Sequence, residues 1–279
     1  MNADRPPDAR TRPSPPSGPS DLMPLYVRAL AHHAASVKNE WLVPNSIPIV
    51  YFGNLARYRS SPFKIITVGL NPSDAEFIEP RFGNASSAST PAELERALCG
   101  YFMDNPYSGW FRAFETLLQP LGASFYDDHY PGSAPSWWSP QPNTALHTDL
   151  CSPLATRPTW SRLDDRTKDA LRAFGVPFWR DLIRVLAPNL IIISVAWPYL
   201  RDIGDLSWRR FPAFTGASRN QEMMIARSSV SHVVWGRAGR RPLFYIEDDR
   251  RAATAAEILT QIRRESITSM STSIIQPSS

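Results

Sequence analysis

"KIITVGLNPSDAEF", residues 64–77, decides the fold. Its first half is Ile65, Ile66, Thr67 and Val68, β-branched throughout, which suits a pleated strand. No charge falls between Lys64 and Asp74. A strand of that kind is covered on both faces, as in a parallel sheet. The second half changes character: after Gly69 and Leu70 come Asn71, Pro72 and Ser73, with Asp74 and Glu76 close behind. A turn accounts for the amide and the proline but asks for neither acid. The stretch therefore reads as a buried strand that delivers polar groups to a site.

Helical and strand patterns alternate around it. Leu22, Leu25, Tyr26, Ala29, Leu30 and His33 recur at helical spacing, with Asp21 as the expected N-cap. "IPIVYFG" (47–53) fits a short edge strand. Thr90 and Glu93 form a capping box with Pro91 at the first helical position. Residues 108–122 carry Trp110, Phe111, Phe114, Leu117, Leu118 and Leu121 on one helical face, and Gly122 closes it. "TALHTDL" (144–150) is the second inner strand, Pro177 opens a helix through Phe178 and Leu182, and "LIIISVA" (190–196) is the third strand. "PLFYIE" (242–247) is the expected fourth, before a helix that starts acidic and ends in Arg263 and Arg264, as the helix dipole favours. The order predicts an α/β fold: a three-layer α/β/α sandwich around a mostly parallel four-stranded sheet. Residues 1–20, rich in Pro and Ser, are expected to be a disordered tail, 21–265 a single domain and 266–279 a flexible C-terminal tail.

Composition narrows the class. A hydrophobic share of 43% supports a sizeable core. The longest apolar run, "LIIISVAW" (190–197), falls far short of the ~18 residues a membrane span needs. No apolar stretch follows the first basic residues, so a secretory signal is not expected. Two cysteines, Cys99 and Cys151, cannot build a disulfide framework, a Cys-rich zinc site or a four-thiolate cluster. Core filling is their expected role, in a cytoplasmic protein without membrane contact, metal or cofactor, and a monomer is expected. The net charge is only +4, but Arg209 and Arg210, the 235–241 stretch "WGRAGRR", Arg250 and Arg251, and Arg263 and Arg264 are clustered. Such clusters suit a polyanion such as DNA; solvated helix ends explain Arg263 and Arg264 as well.

In an open α/β sheet, ligands bind beyond the carboxyl ends of the strands. There the first strand delivers Asn71, Pro72, Ser73 and Asp74, the second His147 and Asp149, the third Trp197, and the expected fourth Glu247, Asp248 and Asp249. His147 and Asp149, two apart, share one face. The crevice is lined by acids, an amide and aromatics. It has no Gly-rich phosphate cradle with a lysine, which disfavours a nucleoside triphosphatase.

"VGLNPS" closing a buried strand resembles the first signature of the uracil-DNA glycosylase superfamily, in its Asn-bearing branch. "EFIEPRF" (76–82) places aromatics just after it, as in that superfamily. "YSGWFRAFETLLQPLG" resembles the superfamily's aromatic helix, and "ALHTDLCSPLATRPTW" (145–160) its second strand and following loop. "FWRDLIRVLAPNLIIISVAW" matches its helix-then-strand pattern, so the likeness runs over roughly residues 45–260. One feature departs: where the superfamily carries a His-Pro-Ser type signature after the fourth strand, this chain reads "FYIEDDRR". Another group replaces that histidine, the substrate is not ordinary uracil, or the correspondence shifts to include His232.

The resemblance implies hydrolysis of a base–sugar bond, with Asn71 orienting the water; a plain turn-capping role for Asn71 competes. Asp74 and Asp149 are candidates to take the water's proton, Asp149 alternatively serving as a structural acceptor. His147 is a candidate donor to the leaving base or to a phosphate, alternatively a core histidine. Gly69, Leu70, Pro72 and Ser73 would line the substrate, and Phe82, then Phe77, would stack on an extruded base, with core packing as the competing role. Trp137 and Trp138, in a Pro/Gly-rich loop, would wedge into DNA or cover the pocket. Arg237, Arg240, Arg241, Arg250 and Arg251 are the candidate phosphate contacts. Lys64 opens its strand at the wrong end for a Schiff base, so a monofunctional enzyme leaving an abasic site is expected. Its base would be uracil, another deaminated base, or a modified cytosine of the kind some phages carry, which would suit phage defence. Two alternatives stay open: a non-catalytic nucleic-acid binder on a decayed scaffold, and a hydrolase of free nucleosides or nucleotides.

Overall fold

A computed structural model of the chain describes residues 21–77, 81–82, 88–103, 105–210, 223–239, 242–243 and 250–273, the last nine by backbone alone. The elements in chain order are helix α1 (Met23–Ser36), helix α2 (Leu55–Ser60), strand β1 (Ile65–Gly69), helix α3 (Pro91–Gly100), helix α4 (Ser108–Leu118), strands β2 (Ala123–Ser124), β3 (Asn143–Thr144) and β4 (Leu146–Asp149), helix α5 (Asp165–Leu186), strands β5 (Leu190–Ile193), β6 (Arg209–Arg210), β7 (Met223–Arg227) and β8 (His232–Gly236), and helix α6 (Arg251–Ser273). The fold is mixed α/β, built on a six-stranded sheet in the order β4-β1-β5-β8-β7-β6. The first four of these run parallel, and β7 and β6 add an antiparallel edge. β2 and β3 pair separately.

All five residues of β1 are buried, because strands flank it on both sides and helices cover both faces. On one face the α4 rings of Phe111 and Phe114 lie 5.1 and 5.4 Å from the His147 ring. On the other, Trp179 of α5 donates from Nε1 to Thr148 Oγ1 at 3.1 Å. The strand period of two turns His147 and Thr148 to opposite helix layers. α6 joins the α4 layer through buried Arg251, whose guanidinium donates to the Ala113 carbonyl and to Thr116 Oγ1.

Several elements follow the sequence closely. The Thr90–Glu93 capping box is formed. α4 passes through a 3-10 turn into Gly122, whose φ of 73° is the left-handed conformation that favours glycine. Others are corrected. Among the described residues the main sheet has six strands, where four were expected. The strand beside β5 is His232–Gly236; Pro242 and Leu243 lie in a turn, and residues 244–249 fall outside the described residues. Pro177 lies inside α5, which begins twelve residues earlier where the Asp164 side chain accepts from Thr167 N at 2.9 Å. α1 starts without a side-chain cap, since Asp21 instead pairs with Arg59. Residues 47–53 form no strand, but Phe52 exchanges both backbone hydrogen bonds with His147, at 2.8 and 3.1 Å, and so covers the β4 edge. α6 runs to Ser273, past the boundary expected at 265. Residues 1–20 lie outside the described residues. Among those described, no helix is long and apolar enough to cross a membrane.

α5 can approach the sheet only because residue 175 has no side chain. A β-carbon there would stand 1.9 Å from the carbonyl oxygen of Cys151 and 2.7 Å from Ser152 N. Backbone cannot yield as a side-chain tip does. Gly175→Ala is expected to destabilise the protein by about 3 kcal/mol or more, whereas Gly100→Ala, with open space around it, should be neutral or slightly stabilising. Urea titrations of the two variants measure the difference.

Candidate active site

The ends of β1 and β4 build the site together. Gly69 is paired in register with Asp149, and Thr67 with His147. A β-carbon at position 69 would lie 2.6 Å from Asp149 Oδ1 and 3.2 Å from His147 Nε2, so both polar groups occupy the space that glycine leaves. His147 Nδ1 and Thr67 Oγ1 are 2.7 Å apart, and His147 Nε2 faces Asp149 Oδ1 at 3.8 Å. The imidazole is ringed by Phe52, Phe111, Phe114 and Phe125 and is 1% exposed. This corrects the expectation of a direct donor to a base: His147 is a buried support behind Asp149.

Beyond Gly69 the chain stays tied to the segment after β4. Leu150 N and Cys151 N donate to the carbonyls of Gly69 and Leu70 at 3.0 and 2.8 Å, and Thr156 N donates to that of Pro72 at 3.2 Å. Asn71 lies inside this frame, half-buried. Its Nδ2 donates to the Pro72 carbonyl at 2.7 Å and to Thr156 Oγ1 at 2.8 Å. Both amide hydrogens are thus used, and among the described residues nothing donates to Oδ1. The carboxamide is oriented from the nitrogen side, by one bond inside its own turn and one to the segment after β4. Ser73 Oγ accepts from Ala75 N at 3.3 Å and starts a 3-10 turn, Asp74–Glu76. Asp74 stays partly solvated, 3.9 Å from the guanidinium of exposed Arg157.

Glu76, the second acid after the strand, turns inward. It is 5% exposed, and the Tyr101 hydroxyl donates to its Oε2. Tyr101 is itself held by Tyr107 N at 3.0 Å. Burial pushes the Glu76 carboxyl up to about 8, the Asp149 charge pushes the same way, and the Tyr101 hydrogen bond and Arg81 oppose them. At neutral pH, Glu76 is thus mostly protonated beside Asp149. The available signal was its place in "SDAEF", where the helical turn that exposes Asp74 turns Glu76 inward.

Phe77 and Phe82 stack on each other at 5.4 Å, and Phe82 also meets Tyr101 and Phe52 at 4.9 and 6.2 Å. Both rings are partly buried and packed against the core. Arg81 fixes this wall by donating to the Ala75 and Asn105 carbonyls at 2.9 and 3.0 Å. The site thus brings together Gly69, Leu70, Asn71, Pro72, Ser73, Asp74, His147 and Asp149, with Phe77 and Phe82 alongside.

The other candidates fare differently. Arg237 and Arg250 are exposed, whereas Arg251 is 1% exposed and committed to α4, which corrects its reading as a phosphate contact. Arg240, Arg241, Glu247, Asp248 and Asp249 lie outside the described residues. His232 begins β8, paired with Leu190 at the opposite end of the sheet from Asn71, so it does not supply the missing histidine. Trp138 donates to Ser124 Oγ at 3.3 Å and Trp137 lies against Arg112 at 5.7 Å. Both are anchored, not a free wedge. Among the described residues, no cluster of three or more His, Cys, Asp or Glu side chains is placed to hold a metal ion. Two clefts of about 440 Å³ each open elsewhere, one between Trp197 and Trp208, the other between Arg112 and Trp137. No family model matches the chain, and no curated protein is significantly similar to it.

The Glu76 shift has a signed consequence. Its folded pKa is raised, so between about pH 4.5 and 8 the folded chain holds a proton that the unfolded chain has lost. Stability from this group falls as pH rises through that window and levels off above it. Thermal melts from pH 5 to 8 should show the fall, and Glu76→Gln should flatten it, with its largest gain over the parent at pH 8. Parallel curves for the two proteins would contradict the assignment.

Proposed function

We propose that this chain is a monofunctional DNA glycosylase that hydrolyses the N-glycosidic bond of an extruded uracil or modified base and leaves an abasic site. The observation that carries the reading is Asn71: an amide fixed by its nitrogen just past the end of the buried strand β1, with its oxygen available to a water. A mostly parallel sheet ending in Gly-Leu-Asn-Pro supports the likeness to the uracil-DNA glycosylase superfamily. The partly buried Phe77 and Phe82 supply an aromatic wall that suits a flipped base.

The chemistry follows from charge. As the bond between the base nitrogen and C1′ breaks, its electron pair leaves with the base and the sugar becomes cationic. A water accepted by Asn71 Oδ1 attacks C1′. A weak orienting group suffices because the cationic carbon needs little activation of the nucleophile. The Asp149 carboxyl at the end of β4 faces the cation and stabilises it, and the more solvated Asp74 takes the proton that the water releases. The departing base collects its proton from solvent, since His147 is enclosed.

A second reading, a DNA-binding protein that releases no base, is favoured by one observation: among the described residues no histidine side chain reaches the crevice. One assay separates the two. Single- and double-stranded oligonucleotides carrying uracil, plain bases or phage-type modified cytosines are incubated with the protein and examined for alkali-labile sites. Release from at least one substrate, reduced about 100-fold or more in Asn71→Ala, supports the glycosylase. DNA binding without release from any of them supports the second reading. In the same samples, affinity should fall steeply with salt, and Arg237→Ala or Arg250→Ala should each lower the slope by about one.

A further inference from the structure

We infer that the cleft between Trp197 and Trp208 is a stacking site for an unpaired nucleobase, which makes single-stranded DNA the preferred substrate of the site described above. The inference rests on the glycosylase reading for its biological sense but on separate residues for its evidence.

Trp197 is 51% exposed, an unusual state for the largest side chain. It does not dangle. It meets Trp235 edge-on at 5.1 Å, and Trp235 is pinned by its Nε1 donating to the Val195 carbonyl at 2.9 Å. One surface of the indole is therefore backed by a fixed ring while much of the rest faces solvent. With Pro198, Leu206 and half-buried Trp208 it lines a cleft of about 440 Å³, roomy enough for a planar heterocycle. The floor is made rigid from beneath: Asp202 takes a forked hydrogen bond from Arg172 of α5, at 2.8 and 3.1 Å, and Tyr199 accepts from Trp160 Nε1 at 2.8 Å.

Charge around the cleft favours a polyanionic strand. Arg201 is in the lining and is exposed, and exposed Arg209 and Arg210 follow directly after Trp208; Asp205 is the one acid in the lining. An aromatic platform beside basic side chains is how proteins hold successive bases of a single strand, because every base has a face to stack and every link a phosphate. A paired base keeps its faces inside the duplex and cannot use such a platform. The position relative to Asn71 is set by the sheet. β1 and β5 are neighbours, with Val68 paired to Ile193 and Ser194 N donating to the Val68 carbonyl at 3.0 Å. Asn71 and Trp197 therefore leave adjacent strand ends at the same edge, and one strand can present a base to each.

The test uses the full chain with a fluorescein-labelled 12-mer of deoxythymidine, a mixed-sequence duplex of the same length, and anisotropy at fixed salt. Trp197→Ala is expected to weaken single-strand binding about tenfold and duplex binding by less than twofold; Trp197→Phe should recover most of the loss. Equal single-strand affinity for Trp197→Ala and the parent, or no measurable binding of the 12-mer by the parent, overturns the inference. So does an equal loss for both DNA forms. The glycosylase reading is judged apart, by base release. Trp197-dependent binding without release keeps the cleft and removes the enzyme; release that is indifferent to Trp197→Ala keeps the enzyme and removes the cleft.

Discussion

A carboxylate lies where a side chain at position 69 would begin. The sheet could not carry its site without that vacancy. β1 is enclosed by neighbours on both edges and by helices on both faces, so the only direction in which it can deliver chemistry is past its own end. Glycine at the last strand position lets Asp149 and the imidazole behind it press against the backbone. The result is a short ladder of polar groups (Thr67, His147, Asp149) inside an aromatic shell, leading to an amide at the rim. A buried carboxylate is costly unless its surroundings compensate. For Glu76 the burial itself keeps the proton on the carboxyl, so no buried charge has to be compensated there, and the Tyr101 hydroxyl holds the group in place.

The same frame explains why the amide is well placed. Segments 69–73 and 150–156 run side by side, joined by three backbone hydrogen bonds and the Ser73–Thr156 bridge rather than by regular strand pairing. Thr156 is fully buried, and its hydroxyl takes one of the amide hydrogens of Asn71. Orientation of this kind is set by neighbours of low freedom, which is what positioning a nucleophile demands. α5 contributes from the other side, because Gly175 allows it to rest directly on the Cys151 backbone and so to press the 150–156 segment into place.

How much of this could be read from the chain depended on the signal. Ile65–Gly69 was legible because an uncharged β-branched run ending in Gly, Asn and Pro has few other interpretations. The Thr90 cap and the apolar face of α4 were legible because they are local. What failed was non-local. "HVVWG" and "PLFYIE" are both short apolar runs, and nothing in either says which pairs with β5. Pro177 was read as a helix start because proline is favoured there, while the stronger cue, Asp164 three residues before Thr167, went unused. At the site, Asn71, Asp149 and the two phenylalanines could be named from position along their strands. Glu76 could not, since its burial depends on Tyr101, twenty-five residues away. Arg251 was misjudged for the same reason: charge clustering along the chain says nothing of which guanidinium turns inward to α4.

The two rims of the sheet end in different ways, and this bears on how the molecule behaves in crowded solution. On one side Phe52 already occupies the hydrogen-bonding groups of His147 that a foreign segment would seek. On the other, the outermost strand among the described residues is two residues long, and both are arginines. A second copy approaching that rim would bring two cations against two cations along too short a stretch to repay the repulsion. Self-templating by strand addition, the usual hazard of an open sheet, is thus discouraged at one boundary by occupancy and at the other by charge.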